Sequence, residues 1–230
     1  GYSSESALGS MKSMLEATRA TGDDFTDVVK NASSALDAFG MRSENATKMG
    51  KNTERVVNAM AYAADMTSTN FKDLGLGMSY VSASASQAGF SVEQTSAALG
   101  ELSNAGVEGS RAGTGLRKTI NSLIAPTAGA TAALKTVGLS INDFKDKSGS
   151  LKSIDDIFKT INQHTHQLSK TDRGAFFKAV FGTTGQQAAQ VLAQSAGGLE
   201  KNDQKLTDLI DKVDKAEKGN GYVHQLAQKN

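Results

Sequence analysis

Apolar residues recur along most of the chain every third or fourth position. Val92, Thr95, Leu99 and Leu102 fall at i, i+3, i+7 and i+10, and Leu116, Ile120, Leu123 and Ile124 at i, i+4, i+7 and i+8. Ile154, Ile157, Phe158, Ile161 and Leu168 continue the spacing, and Phe176, Phe177, Val180 and Phe181 form a tight apolar group. Each set is the stripe of a half-buried helix. The two-residue alternation of a strand is almost absent. The pattern predicts an all-α fold, a multi-helix bundle or elongated helical stack of about nine or ten helices.

The polar and glycine positions between the stripes predict where those helices stop and start. Phe39-Gly40-Met41, Ala88-Gly89-Phe90, Ala105-Gly106-Val107 and Val137-Gly138-Leu139 share one pattern. A glycine after the last helical turn takes the left-handed conformation, and the apolar residue behind it folds back onto that turn. Helix ends are therefore expected at Gly40, Gly89, Gly106 and Gly138, with others near Gly182 and at Gly197-Gly198. Ser91 to Gln94 reads as a capping box, and Ser140 to Asp143, Ser153 to Asp156 and Thr184 to Gln187 look similar. The expected helices run over about 24–39, 44–65, 70–88, 91–104, 111–124, 128–137, 153–169, 172–181, 184–196 and 199–218.

This divides the chain into a disordered or frayed segment over 1–23, a helical core over 24–200, and a polar helix with a tail over 201–230. Lys145 to Lys152 is the best loop candidate, and Gly219-Asn220-Gly221 is expected to break the last helix and leave a frayed tail. The last helix should carry the acid-to-lysine pairs Asp208–Lys212, Asp211–Lys215 and Asp214–Lys218 at i, i+4. Phe25 to Leu36 loosely echoes Phe71 to Ser82. The chain starts with Gly and ends without an obvious stop, so it reads as a fragment of a longer protein.

Composition narrows the packing and the chemistry. Hydrophobic residues are 38% and aromatics 6%, with much alanine and no Trp, which argues for thin helix interfaces made by small residues. Cysteine is absent, so there is no disulfide framework or thiolate chemistry. A net charge of +1 gives no general attraction for polyanions, and no basic stripe interleaved with aromatics points to sequence-specific nucleic-acid binding. No apolar run approaches the roughly 20 residues of a membrane span.

The stretch Gly106 to Thr127 tests the chemistry most sharply. Its glycines suggest a phosphate loop, but Arg117 stands where a Walker motif needs glycine before Lys118-Thr119, and Lys118 stands where a dinucleotide loop needs its third glycine. The geometric reading fits better. Gly106 ends one helix, Gly109 permits a second tight turn, and Ser110 is free to cap the next helix. Ala112, Gly113 and Gly115 let its first turn lie close to a neighbouring backbone, offsetting the ~1 kcal/mol that glycine costs inside a helix. Arg117 and Lys118 then face water or a helix C-terminus, and Pro126 stops the helix after Ile124. His164 and His166 are two apart and cannot chelate one ion from a regular helix; His164 should be hydrogen-bonded and partly packed. Asp143, Asp146 and Gly149 hint at a calcium loop but miss its ligand spacing. No nucleophile elbow is present, and Glu101 is the one carboxylate on an element rich enough in neighbours to tempt a catalytic reading. No catalytic, metal or cofactor site is expected.

The segment from Gly89 to Thr127 resembles the core region of phage tail tape measure proteins. The resemblance rests on Gly89, Ser91, Ala105, Gly106, Val107, Gly109, Ser110, Ala112, Gly113, Thr114, Leu116, Arg117, Leu123 and Pro126. Leu134 to Phe158, with its stop at Gly138, and Phe176 to Leu192, with Gly182, resemble the segments that follow in that family. The similarity spans about residues 24 to 200. It implies a structural protein of the virion tail, made in the bacterial cytoplasm, that sets tail length and scaffolds the tube. It implies contacts with the tail tube protein, tail assembly chaperones and tail tip proteins, self-association in the tail, and release ahead of DNA. Two other roles stand beside this one: a membrane-active helical module, touching membrane only during infection, and a wall-degrading tail enzyme. As a compact domain the chain would be roughly 45 Å across; as one unbroken helix it would span about 345 Å.

Overall fold

The computed structural model describes residues 3–199, 203–218 and 221–229. Among the described residues, helices α1 to α11 follow one another with no strand beyond a single antiparallel bridge, Lys145 to Leu151. They are α1 (Ser4–Thr21), α2 (Phe25–Ala38), α3 (Ala46–Asp65), α4 (Phe71–Gln87), α5 (Val92–Asn104), α6 (Gly109–Ile124), α7 (Ala128–Thr136), α8 (Ile154–Thr165), α9 (Lys170–Ala196), α10 (Lys205–Lys218) and α11 (Tyr222–Lys229). The architecture is all-α, as the periodicity predicts. The expected boundary at residue 200 and the break at Gly219-Asn220 lie outside the described residues.

The helix ends follow the glycine pattern. At Gly106 (φ +76°) the Val107 amide donates to the Leu102 carbonyl at 2.9 Å and the Gly106 amide to the Ser103 carbonyl at 2.9 Å. These are the paired bonds that satisfy the last carbonyls of α5, and Val107 is buried as the fold-back requires. The same pair of bonds closes the helices before Gly40, Gly89 and Gly138. The expected helices 172–181 and 184–196 are the two halves of α9, which part at Gly182, whose φ of 71° and ψ of 176° are not helical.

Several local expectations change. Ser110 does not cap α6: the helix already begins at Gly109 (φ +52°), and its N-cap, Glu108, makes no side-chain cap bond. Ser91 accepts the Gln94 amide at 3.1 Å, but the Gln94 Oε1 atom has no partner, so that box is half formed. The full box at Ser140 and Asp143 opens only a 3-10 turn, Ile141–Phe144. Ser153 makes no cap bond, and Thr184 lies inside α9. Neither Asp208–Lys212 nor Asp211–Lys215 closes to ion-pair distance.

The largest difference is α1, where a frayed segment was expected. Ser3 accepts the Ser6 amide as N-cap, and Gly22 ends the helix at φ +74°. Its inward face is Ser6, Ser10, Ser13, Met14, Ala17 and Ala20, all buried. Leu8 (72% exposed) and Leu15 (52%) point outward. The inner face is mostly serine and alanine, with Met14 its one large apolar residue, so it leaves almost no apolar stripe, and Leu8 and Leu15 lie on the outer side. α1 packs closely on α3, since a Cβ at Gly9 would meet the Ala46 carbonyl oxygen at 2.2 Å.

The loosely matching segments become α2 and α4. Each starts with Phe behind an Asx cap, Asp24 and Asn70, and the two pack together, with Lys72 bonded to Asp27 at 2.9 Å. α10 lays Leu206, Leu209, Ile210 and Val213 against α3, α5 and α9. Asp203 accepts the Gly198 and Leu199 amides just before it.

Candidate functional site

The stretch that raised the chemical question becomes the first turns of α6, which run between α4 and the second half of α9. On the α4 side, a Cβ at Gly113 would lie 2.2 Å from the Gly77 carbonyl oxygen and 2.8 Å from the Tyr80 Cβ. A Cβ at Gly77 would lie 3.1 Å from the Gly109 carbonyl oxygen. The two backbones therefore touch where neither has a side chain. On the α9 side, Gly115 faces the Ala188 methyl, and Gly185 faces Thr119. The fully buried Thr119 hydroxyl donates to the Gly115 carbonyl at 2.9 Å and lies 3.1 Å from the Gly185 carbonyl, bridging the two helices.

The remaining positions of the motif fall around this crossing. Ala112 and Leu116 are buried between the helices. Thr114 is half-buried and lines, with Val107, Ser110, Arg111, Gly115 and Thr184, a shallow cleft of about 280 Å³. Arg117 is exposed on the outer face, and among the described residues it forms no ion pair. Pro126 sits between Ala125, which closes α6, and Thr127, which caps α7 by accepting the Ala130 amide at 3.1 Å. Gly89 and Ser91 join α4 to α5, Gly138 ends α7, and Gly182 kinks α9 beside Lys118. Thus Gly106, Gly109, Ala112, Gly113, Thr114, Leu116 and Arg117 share one locality, whereas Gly89, Ser91, Gly138 and Gly182 serve other joints.

The two buried glutamates, Glu93 and Glu101, are engaged in helix contacts, and Asp143 and Asp146 in their own turns. Glu93 is 1% exposed, and Arg55 of α3 grips it with Nε–Oε1 at 2.6 Å and Nη2–Oε2 at 2.9 Å. Burial pushes its carboxyl up, but the hydrogen bonds from Arg55 and its own backbone amide, with the Arg55 charge, outweigh this and hold it below the usual value. Glu101 is buried, accepts from the Ser195 hydroxyl of α9, and takes the Asn104 amide at 3.2 Å. Asp146 turns into its own loop, accepting from Ser148 and Ser150, and these bonds, Ser148 first, lower its carboxyl. The backbone amide of Ser140, with its hydroxyl, does the same to Asp143.

His164 is exposed, not partly packed, with Nδ1 2.9 Å from the Val137 carbonyl at the end of α7. Among the described residues no cluster of His, Cys, Asp or Glu is placed to hold a metal ion, and no helix is long and apolar enough to cross a membrane.

Sequence reasoning missed the partners in these contacts. Gly77 sits mid-helix although Leu76-Gly77-Met78 has the same apolar-Gly-apolar pattern as the stops, so its local sequence does not reveal the close approach. Arg55 and Glu93 are 38 residues apart, and nothing local pairs them.

A stack of helices fixed by missing side chains, with its buried carboxylates tied up in helix contacts, is a packing module. The chain belongs to the phage-related minor tail protein family, which it matches over residues 1–182. It is 27% identical over 218 residues to the tape measure protein of Pneumococcus phage Dp-1, covering 95% of this chain and 18% of that protein. It is 32% identical over 148 residues to a probable tape measure protein of Escherichia phage P2, covering 63% of this chain and 18% of that protein. The matched part is thus under a fifth of each relative's length. No solved structure matches the chain.

Proposed function

We propose that the chain is a helical region of a tail tape measure protein, acting in tail length control and as a scaffold for tube assembly. The observation that carries the proposal is family membership across most of the chain, joined to the α4–α6–α9 crossing. There the motif glycines are taken up by helix packing, and Glu93 and Glu101 are taken up by Arg55 and by Ser195 with Asn104. In this reading the region is structural and performs no catalysis. Its partners are the tail tube protein, the tail assembly chaperones, the tail tip proteins and further copies of itself. It is made in the host cytoplasm, enters the virion tail, and leaves ahead of DNA.

The test is genetic and microscopic. The reading frame is closed by an early stop in the phage that encodes the chain, and particles are viewed by negative-stain electron microscopy. Tails are expected to be missing or to lose their uniform length, and peptides of the chain should be found in purified wild-type virions. Tails of normal, uniform length without the chain would overturn the proposal.

A further inference from the structure

We infer that in the assembled tail this region stays folded as a bead beside the ruler path, adding no more than its own breadth to tail length. The inference rests on the tape measure reading and goes beyond it.

The first observation is where the last helix goes. α11 returns to α1 and α3. His224 Nδ1 lies 2.7 Å from Glu16 Oε1 of α1. The Val223 amide donates to Asn58 Oδ1 of α3 at 2.9 Å, and the Tyr222 ring meets the Tyr62 ring edge-on at 4.9 Å. Leu226 lines a cleft with Ala20 and Thr21. A region whose first and last helices touch has an end-to-end path no longer than about one helix, ~27 Å for the 18 residues of α1. Drawn out as a single helix the same residues would cover about 345 Å.

The second observation is what opening would undo. Between those two helices the fold is tied across long sequence separations. Glu101 accepts from Ser195, 94 positions away, and Asn162 donates to the Gly197 carbonyl at 3.0 Å. At the Gly9–Ala46 and Gly113–Gly77 crossings the backbones themselves are in contact. A continuous rod must also turn the left-handed joints at Gly22, Gly40, Gly89, Gly106 and Gly138 into helix. Glycine is the weakest helix former apart from proline, so each joint resists that change. Every buried residue would be exposed with no internal partner to replace the one it lost.

The experiment has two arms in the phage that encodes the chain. First, residues 3–229 are duplicated in tandem and tail lengths are measured by electron microscopy. A bead predicts an increase below ~45 Å, the breadth of a domain this size. A ruler segment predicts ~340 Å, and that result would overturn the inference. Second, Glu16→Cys and His224→Cys are introduced together; this region has no native cysteine. Intact virions are treated with a short bismaleimide and digested. A cross-linked peptide joining the two positions supports the bead, and its absence from virions, when the purified chain cross-links readily, overturns it. The second arm decides the matter where the duplication blocks assembly. A failed tape measure reading would look different: tails would keep their length with the chain removed altogether.

Discussion

Adding a single methyl group at Gly113 should cost about as much as the milder losses of a large side chain from a core, ~2 kcal/mol. The new Cβ would stand 2.2 Å from the Gly77 carbonyl oxygen, where ordinary contact begins at 3.4 Å. Because the atom it meets is backbone, relief requires α4 and α6 to separate by roughly 1.2 Å. A gap of that order forfeits a quarter to a half of each van der Waals contact across the crossing. Overpacking of this kind costs up to ~3 kcal/mol, and replacing glycine by alanine in a helix returns about 1 kcal/mol. Gly113→Ala is therefore expected to destabilise the fold by a net ~2 kcal/mol. Gly115→Ala meets the Ala188 methyl at 3.2 Å and the Thr184 carbonyl oxygen at an ordinary 3.6 Å, and should be near neutral. Gly174→Ala, also helical but with nothing within 4 Å, should stabilise by ~0.5–1 kcal/mol. Urea unfolding of the purified chain, followed by helical circular dichroism, ranks the three. With a slope of ~3 kcal/mol/M the Gly113→Ala midpoint should fall by about 0.7 M. A Gly113→Ala protein as stable as the parent would show that the two backbones do not touch, and the account of the motif would fail with it.

Other substitutions probe the remaining devices. Gly106→Ala has open space around its Cβ but a φ of +76°, so it should cost ~1–2 kcal/mol through backbone strain alone; Gly106→Asn should cost less in the same urea series. Arg55→Leu strands the buried Glu93 carboxylate and should cost about 3 kcal/mol, with Glu93→Leu added on top restoring most of the loss. Because the folded carboxyl of Glu93 lies below its ordinary 4.5, its contribution is fully present above pH 4.5 and is lost as pH falls through the folded value. A pH series of thermal melts should show that acid loss in the parent and its removal in Arg55→Leu. Ser91→Ala removes the acceptor for the Gln94 amide and should cost about 1 kcal/mol, read as a lower urea midpoint.

What was legible in the sequence was whatever is local. The stripes of α5, α6, α8 and α9 and the left-handed glycines depend on residues within a turn of one another, and they stand where the spacing puts them, except that Ile124 is exposed and Leu168 falls beyond α8. α1 was not legible, because its inward face is serine and alanine around a single Met14, packed on α3, while Leu8 and Leu15 face out. The glycines show the same divide from another side. Those that end helices, such as Gly89 and Gly106, have empty space where a Cβ would go and are marked by the apolar residue behind them. Those that admit a neighbour, such as Gly9, Gly77 and Gly113, have blocked space, and no local mark tells them apart: Gly77 even has the apolar follower, Met78, of a helix stop. Only at Ala112, Gly113 and Gly115, where small residues cluster, did the sequence suggest close approach, and even there it could not name Gly77 as the partner of Gly113. The ties between Arg55 and Glu93 and between Glu101 and Ser195 exist only once the helices have been placed.

If the α4–α6 crossing is set by contact of two backbones, then the two glycines that share it must be coupled, and in a way that reverses sign. A Cβ at Gly77 needs only a few tenths of an ångström, since its nearest neighbours are the Gly109 carbonyl oxygen and a Leu99 methyl, both at 3.1 Å. In the parent, Gly77→Ala should therefore be mildly unfavourable, as the rigid carbonyl cannot yield although the Leu99 side chain can swing. Once Gly113→Ala has driven the helices about 1.2 Å apart, that space is already open. Gly77→Ala should then cost nothing and recover up to ~1 kcal/mol of helix propensity. The double variant should accordingly be more stable than the sum of the single effects by roughly 1–2 kcal/mol, within the range measured for contacting residues. Strict additivity in a double-mutant cycle would mean that the two positions act at separate contacts, and that the spacing of glycines in α4 and α6 has some other cause.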